Sequence, residues 1–176
     1  MIMLNTKFQA WKDREDIALG RHFNPLNNVL LGFHEVKDSR AIAELVIDSN
    51  NGKGKDQWDR SAVTLMIGVI LHIKYAKKDQ TIGGLIKFLS KPRRKVMKIV
   101  DDMLTTKHDL HGLSNWIDPS TGRPSKTHPI VASIARDLKN KNQDELSIVI
   151  DTAISKLKIW PENTLSVELF KEIRHG

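Results

Sequence analysis

The residues best equipped for chemistry fall in a few short stretches. Asn51-Gly52-Lys53-Gly54-Lys55 has the glycine and lysine content of a phosphate-cradling loop. A Walker A motif, however, needs GxxxxGK followed by Ser or Thr, and Asp56 stands where that hydroxyl belongs. The stretch reads as a solvated turn. His108 and His111 flank Asp109 at a spacing that could hold a metal, but no third ligand stands at a suggestive distance, so both read as part of a polar surface loop. His72 lies in an apolar run and reads as a hydrogen-bonded core histidine. No GxSxG elbow or paired-carboxylate constellation occurs. The chain has no cysteine, which removes thiolate nucleophiles, disulfides and every Cys-built zinc or iron–sulfur site. The expectation is a chain without catalysis, cofactor or metal.

Two stretches are better suited to contact. Between Lys87 and Lys98 stand six cations, Lys87, Lys91, Arg93, Arg94, Lys95 and Lys98, with no acidic residue among them. At about 100° per residue, Lys91, Arg94 and Lys98 share one side of a helix, opposite Val96 and Val100. Such a run is usually a solvated face. Here the cations crowd the predicted first turn while Asp101 and Asp102 lie toward the other end, against the helix dipole at about 0.3–1 kcal/mol per charge. A face arranged against helix stability reads as a contact surface for acidic protein segments or phosphate. The second stretch is Thr105 to Thr127, a loop of 23 residues holding Trp116 and Ile117. Trp116 suits either a partner anchor or a pin that holds the loop on the bundle.

The elements that must position these residues are helical. Asn24-Pro25 marks a turn. Ala41, Ile42, Leu45 and Val46 form the stripe of a first helix starting near Lys37, with Asp38 or Ser39 as N-cap. A second runs from about Asp56 to Ala76. Nine of the 12 residues from Ala62 to Ile73 are aliphatic or Met, so it is the central, buried helix. A short third helix covers about Thr81 to Leu89 despite Gly83-Gly84. Pro92 suits the first turn of a fourth, whose stripe is Val96, Ile99, Val100 and Met103. The 105–127 loop is long enough to be functional or mobile. A fifth helix begins at His128-Pro129. The sixth opens with Asn142 and Glu145 in capping-box spacing and ends at Pro161. Ile148 and Ile159 lie off its main stripe and are expected to touch a neighbouring helix. Leu165 to Phe170 has the pattern of a short strand. The predicted fold is all-α: a compact bundle of about six helices with short irregular or strand-like stubs at both ends.

Length and composition agree with that reading. The 176 residues are 40% hydrophobic and 28% charged, enough apolar material for one core. The formal net charge is +7, which favours acidic or phosphate-bearing partners. The most apolar run is well short of the roughly 20 residues that span a bilayer. The first residues, MIMLNTKF, lack the basic-then-apolar order of a signal peptide.

Phe23-Asn24-Pro25-Leu26, Gln57-Trp58 opening the apolar helix, Thr81-Ile82, His128-Pro129 and Glu145-Leu146-Ser147 leading to Trp160-Pro161 occur in an order that resembles the type IV secretion coupling proteins, the TraG/TraD-like family. The similarity is to their all-alpha domain, over about residues 22–165. It implies a substrate-recognition domain at 23–160, flanked by stubs of a parent nucleotide-binding domain at 1–22 and 161–176. It also implies a membrane-anchored, hexameric ATPase as parent, whose all-alpha domain lies on the cytoplasmic face of the bacterial inner membrane. Secreted effectors, relaxase–DNA complexes or their adaptors are the implied partners. This chain has neither the Walker A nor the Walker B segment, so the resemblance implies a soluble, monomeric, non-catalytic module. The alternative is a helical nucleic-acid-binding domain that meets DNA phosphates through the basic fourth helix. Against it, there is no helix-turn-helix pattern and no interleaving of aromatic and basic residues.

Overall fold

The computed structural model describes residues 24–48, 56–92 and 95–159. A 3-10 turn, Pro25–Asn28, precedes six α-helices: α1 Glu35–Asp48, α2 Gln57–Tyr75, α3 Ile82–Leu89, α4 Val96–Thr105, α5 Pro129–Lys139 and α6 Gln143–Ile159. No strand forms among the described residues beyond one isolated antiparallel bridge, Ile117 to Pro124. The strand-like reading of 165–170 and the 51–55 turn lie outside the described residues.

The central helix is α2, as its all-round apolar sequence predicts. Every residue from Leu65 to Ile73 is buried. α1, α5 and α6 pack around it, and α4 packs on α5. Asp56 caps α2 by accepting the Asp59 N–H at 2.8 Å. Gly68 lets α4 and α5 approach closely: a Cβ there would stand 2.8 Å from Met103 Cε and 2.9 Å from Ile134 Cγ2. Gly84 has the same kind of reason, because a Cβ would fall onto the backbone of Asp79. The helix cost of that glycine is offset by a close turn that no side chain fits. Asn24 joins the chain's entry to this turn, donating to the Gln80 carbonyl at 2.6 Å while accepting the Leu26 N–H at 3.1 Å. Leu26 is fully buried.

Two expectations differ. α4 starts at Val96, not around Pro92. Pro92 instead accepts the Lys95 N–H in a preceding turn, and Lys95 is an N-cap with no side-chain cap bond. A lysine has no acceptor to offer an orphan N–H, so the helix begins only where the apolar stripe can bury it. On α6, Ile148 and Ile159 are exposed and do not pack beneath a neighbouring helix. The stripe from Leu146 to Leu157 already fills that helix's contact face. The Asn142 cap is as expected, its side chain accepting the Glu145 N–H at 2.9 Å.

Candidate recognition surface

The cations predicted for one helix face sit mostly at the hinge between α3 and α4. Lys87 is exposed on α3, Lys91 is half-buried in the connection, Lys95 is exposed at the α4 N-cap, and Lys98 is exposed in the first turn of α4. Arg93 and Arg94 lie outside the described residues. The late start of α4 changes the dipole argument. Of the described cations only Lys98 stands inside the helix's first turn, and it pairs with Asp102 one turn later at 2.9 Å. Lys87, Lys91 and Lys95 form no ion pair with a described residue.

The 106–128 loop is packed at the opposite end of α4. Thr127 Oγ1 donates to the Thr106 carbonyl at 2.9 Å, and Asp109 N–H donates to Lys126 O at 2.9 Å. A small hairpin follows: Ser125 N–H bonds Trp116 O, and Asp118 N–H bonds Arg123 O, both at 2.8 Å. Gly112, Asn115 and Gly122 take left-handed backbone angles at its corners. Asp118 ties the hairpin to α5 through Arg136 at 2.5 Å. Its carboxyl is held down at about 2 by Ser120 hydrogen bonds, with the guanidinium adding to them.

Beneath the loop lies a buried polar chain. His128, the N-cap of α5, accepts the Ile130 and Val131 N–H groups on Nδ1, so Nε2 carries the proton and donates to Glu35 Oε1 at 2.8 Å. Glu35 Oε2 accepts from Tyr75 Oη at 2.5 Å and from Gly32 N–H at 2.7 Å. His108 Nδ1 accepts the His128 N–H at 3.0 Å. Its Nε2–H must then face His72 Nδ1, at 2.9 Å. His108 and His128 thus each carry the ring proton on Nε2, while His72 faces His108 through Nδ1 and has its Nε2 3.5 Å from Lys78 Nζ. Burial, then the neighbouring His108 and Lys78, depress His72 to about 3; burial, then His128 and Lys78, depress His108 to about 4. Burial opposes ionisation of Glu35, but the combined hydrogen bonds from His128, Tyr75 and Gly32 outweigh it and the carboxyl is lowered. Tyr75 is pushed up by burial and then by Glu35.

Trp116 rests on this chain. It is half-buried, with its ring edge-on to Tyr75 at 5.1 Å and to His128 at 4.8 Å. The pin role is therefore met by geometry. Ile117, its neighbour, remains 49% exposed, and Leu110 and Leu113 are more open still. A pocket of about 240 Å³ opens between Gly112, Asn115, Trp116, Ile117, Pro124 and Lys126. The structure thus separates the predicted site residues into two groups, the hinge cations at one end of α4 and Trp116 with Ile117 at the other.

The sequence reading of His72 is correct: it is fully buried and bonded. The reading of His108 and His111 as a common surface loop is corrected, since His108 is buried beneath the loop while His111 is exposed. No group of three His, Cys, Asp or Glu side chains suited to a metal occurs among the described residues. The partnership of Glu35, Tyr75 and His128 was not legible, because 93 residues separate Glu35 from His128. The one usable signal was His128-Pro129, a helix start with an acceptor at the cap position. Among the described residues, no helix is long and apolar enough to cross a membrane.

Residues 15–169 match the family described as Type IV secretory system Conjugative DNA transfer. Two conjugal transfer proteins TraG of Escherichia coli are similar to the chain. One is 30% identical over 155 residues, 85% of this chain and 22% of the relative. The other is 31% identical over 144 residues, 78% of this chain and 20% of the relative. The chain spans about a fifth of the length of these curated relatives. No solved structure matches it. With six helices bundled among the described residues and a family match covering most of its length, the chain belongs to the type IV conjugative DNA transfer family of coupling proteins.

Proposed function

We propose that this chain is the substrate-recognition domain of a conjugative coupling protein, itself non-catalytic, that recruits relaxase–DNA complexes, secreted effectors or their adaptors to the secretion channel. In this reading residues 23–160 form the recognition module, and the flanking segments return to a nucleotide-binding domain of a hexameric, membrane-anchored parent. The observation that carries the reading is the hinge: Lys87, Lys91 and Lys95 project from one end of the bundle with no ion pair to a described residue, although acidic residues are common elsewhere on the chain. Cations without an ion pair to a described residue attract an acidic partner and raise its association rate. Trp116 and Ile117 supply a second contact region.

Calorimetry with a relaxase of the cognate conjugation system tests this. The double variant Lys87→Glu/Lys95→Glu should bind it at least tenfold more weakly, about 1.4 kcal/mol, with unchanged helical content. Binding equal to the parent's would remove the hinge from the recognition surface. The same cations favour a second reading, direct contact with DNA phosphates. A generic duplex titrated at two salt concentrations distinguishes them, since phosphate binding weakens steeply with salt.

A further inference from the structure

The hairpin within the 106–128 loop has features that pinning alone does not require. Ile117 and Pro124 form a bridge whose hydrogen bonds belong to their neighbours, Trp116 with Ser125 and Asp118 with Arg123. In such a non-bonded pair the backbone groups of the bridging residues point away from the partner strand. The N–H and C=O of Ile117 accordingly bond to no described residue, on a segment that is half-exposed. An open strand edge is a template for an added extended chain. On one face of this edge lies the pocket beside Trp116. Because side chains of an extended chain alternate in direction, every second residue of an added strand would face it.

The charge around the pocket is positive on balance: Lys126, Arg123 and Lys107 stand against Asp109, while Asp118 is paired with Arg136. The two nearby carboxylates are engaged: Asp109 accepts the Ser114 N–H at 2.6 Å, and Asp118 is held by Arg136 and Ser120. Lys126 lines the pocket, one of its three ammonium donors bonding the Leu110 carbonyl at 3.0 Å, and Arg123 and Lys107 are exposed without an ion pair to a described residue. The platform is also rigid. Buried hydrogen bonds through His128, His108 and Glu35 hold it from below, so a ligand would meet a surface whose ordering cost is already met by folding.

We propose that this hairpin is a peptide-docking site, where an extended segment of a protein substrate pairs with the Ile117 edge, places one bulky apolar side chain in the pocket beside Trp116, and sets flanking carboxylates against Lys126 and Arg123. This rests on the reading of the chain as a substrate-recognition domain, but locates a contact separate from the basic hinge.

The test uses fluorine NMR of the full chain labelled with 5-fluorotryptophan, in which Trp116→Phe assigns one of the four tryptophan resonances. The probes are three short acetylated peptides: a central Leu flanked by Asp and Glu, the same with Lys replacing the acids, and the same with Gly replacing Leu. The acidic Leu peptide should shift the Trp116 resonance saturably at up to about millimolar concentration. The other two should act at least tenfold more weakly. Arg123→Glu, whose side chain bonds no described residue, should weaken the acidic peptide severalfold while leaving the Trp58 resonance in place. No Trp116 shift, an equal response to the Lys peptide, or a response to a DNA duplex alone would overturn the proposal. Relaxase binding distinguishes the two claims. If it is lost in Lys87→Glu/Lys95→Glu but unchanged in Arg123→Glu, the docking site is overturned and the recognition role stands. If the acidic peptide docks but no relaxase binds, the docking site stands and the recognition role in conjugation falls.

Discussion

The basic hinge and the pinned loop occupy opposite ends of α4 and are built in opposite ways. The hinge is assembled from neighbours in sequence and carries charge on the exposed side chains of Lys87, Lys95 and Lys98. The loop is assembled from residues up to 93 positions apart, and its display surface rests on a buried chain of hydrogen bonds. The contrast shows two routes to a contact surface. Charge displayed locally costs little stability and acts at a distance. An ordered loop needs a core of its own, and here that core is polar.

Four measurements can break or sharpen this contrast. The largest effect should come from pH. His72 and His108 are held well below the ordinary histidine value, at about 3 and about 4, so the unfolded chain binds protons that the folded chain refuses. Stability contributed by this neutrality is complete above pH 6.5 and is lost as pH falls toward those folded values. The slope is about 1 kcal/mol per pH unit for each histidine. Urea unfolding between pH 7 and 5, above the carboxylate range, should show the decline, and His72→Gln should roughly halve its slope. A flat profile in the parent would mean that the chain does not lock its histidines neutral.

Glu35→Ala comes next. It strands the His128 N–H and the Tyr75 hydroxyl in the interior, at a cost of about 3 kcal/mol. Hydrogen exchange should show the 106–128 amides losing protection before the α2 amides. Uniform loss throughout would argue that the loop and bundle are one cooperative unit. Arg136→Ala removes the partly exposed tie to Asp118 and should lower the melting midpoint by less than Glu35→Ala, with the Trp116 environment loosened in fluorescence. The smallest effect belongs to the hinge. Lys98→Glu exchanges an exposed pair with Asp102 for a repulsion and should change the melting midpoint by an amount equivalent to about 0.5 kcal/mol or less. A hinge substitution as costly as Glu35→Ala would erase the distinction between the two regions.

Much of the architecture was legible because it is written in local periodicity. The apolar run from Ala62 to Ile73 identified the central helix, Asn142 marked the start of the last one, and Leu146 to Leu157 marked its buried face. Each signal acts within a turn or two of helix, so no distant residue is needed to read it. The cations between Lys87 and Lys98 were equally plain as composition, but their arrangement was not. Whether they share a helix face depends on where α4 begins, and that is decided by Ile99, Val100 and Met103 finding the core.

The loop belongs to tertiary structure almost entirely. From Thr105 to Thr127 the sequence offers glycines, prolines and polar residues, the signature of a segment with no core of its own. Its order comes from Glu35, Tyr75 and His72, contributed by two helices that precede it in the chain. The proton positions on His108 and His128 likewise follow only from who stands opposite whom. Hydrophobic periodicity is a property of neighbours along the chain, so the sequence by itself determined an all-α bundle with α2 at its centre. Hydrogen-bond complementarity across distant segments has no period, so only the folded molecule decided that His108 is buried, that Trp116 is seated on Tyr75, and that Ile117 faces solvent.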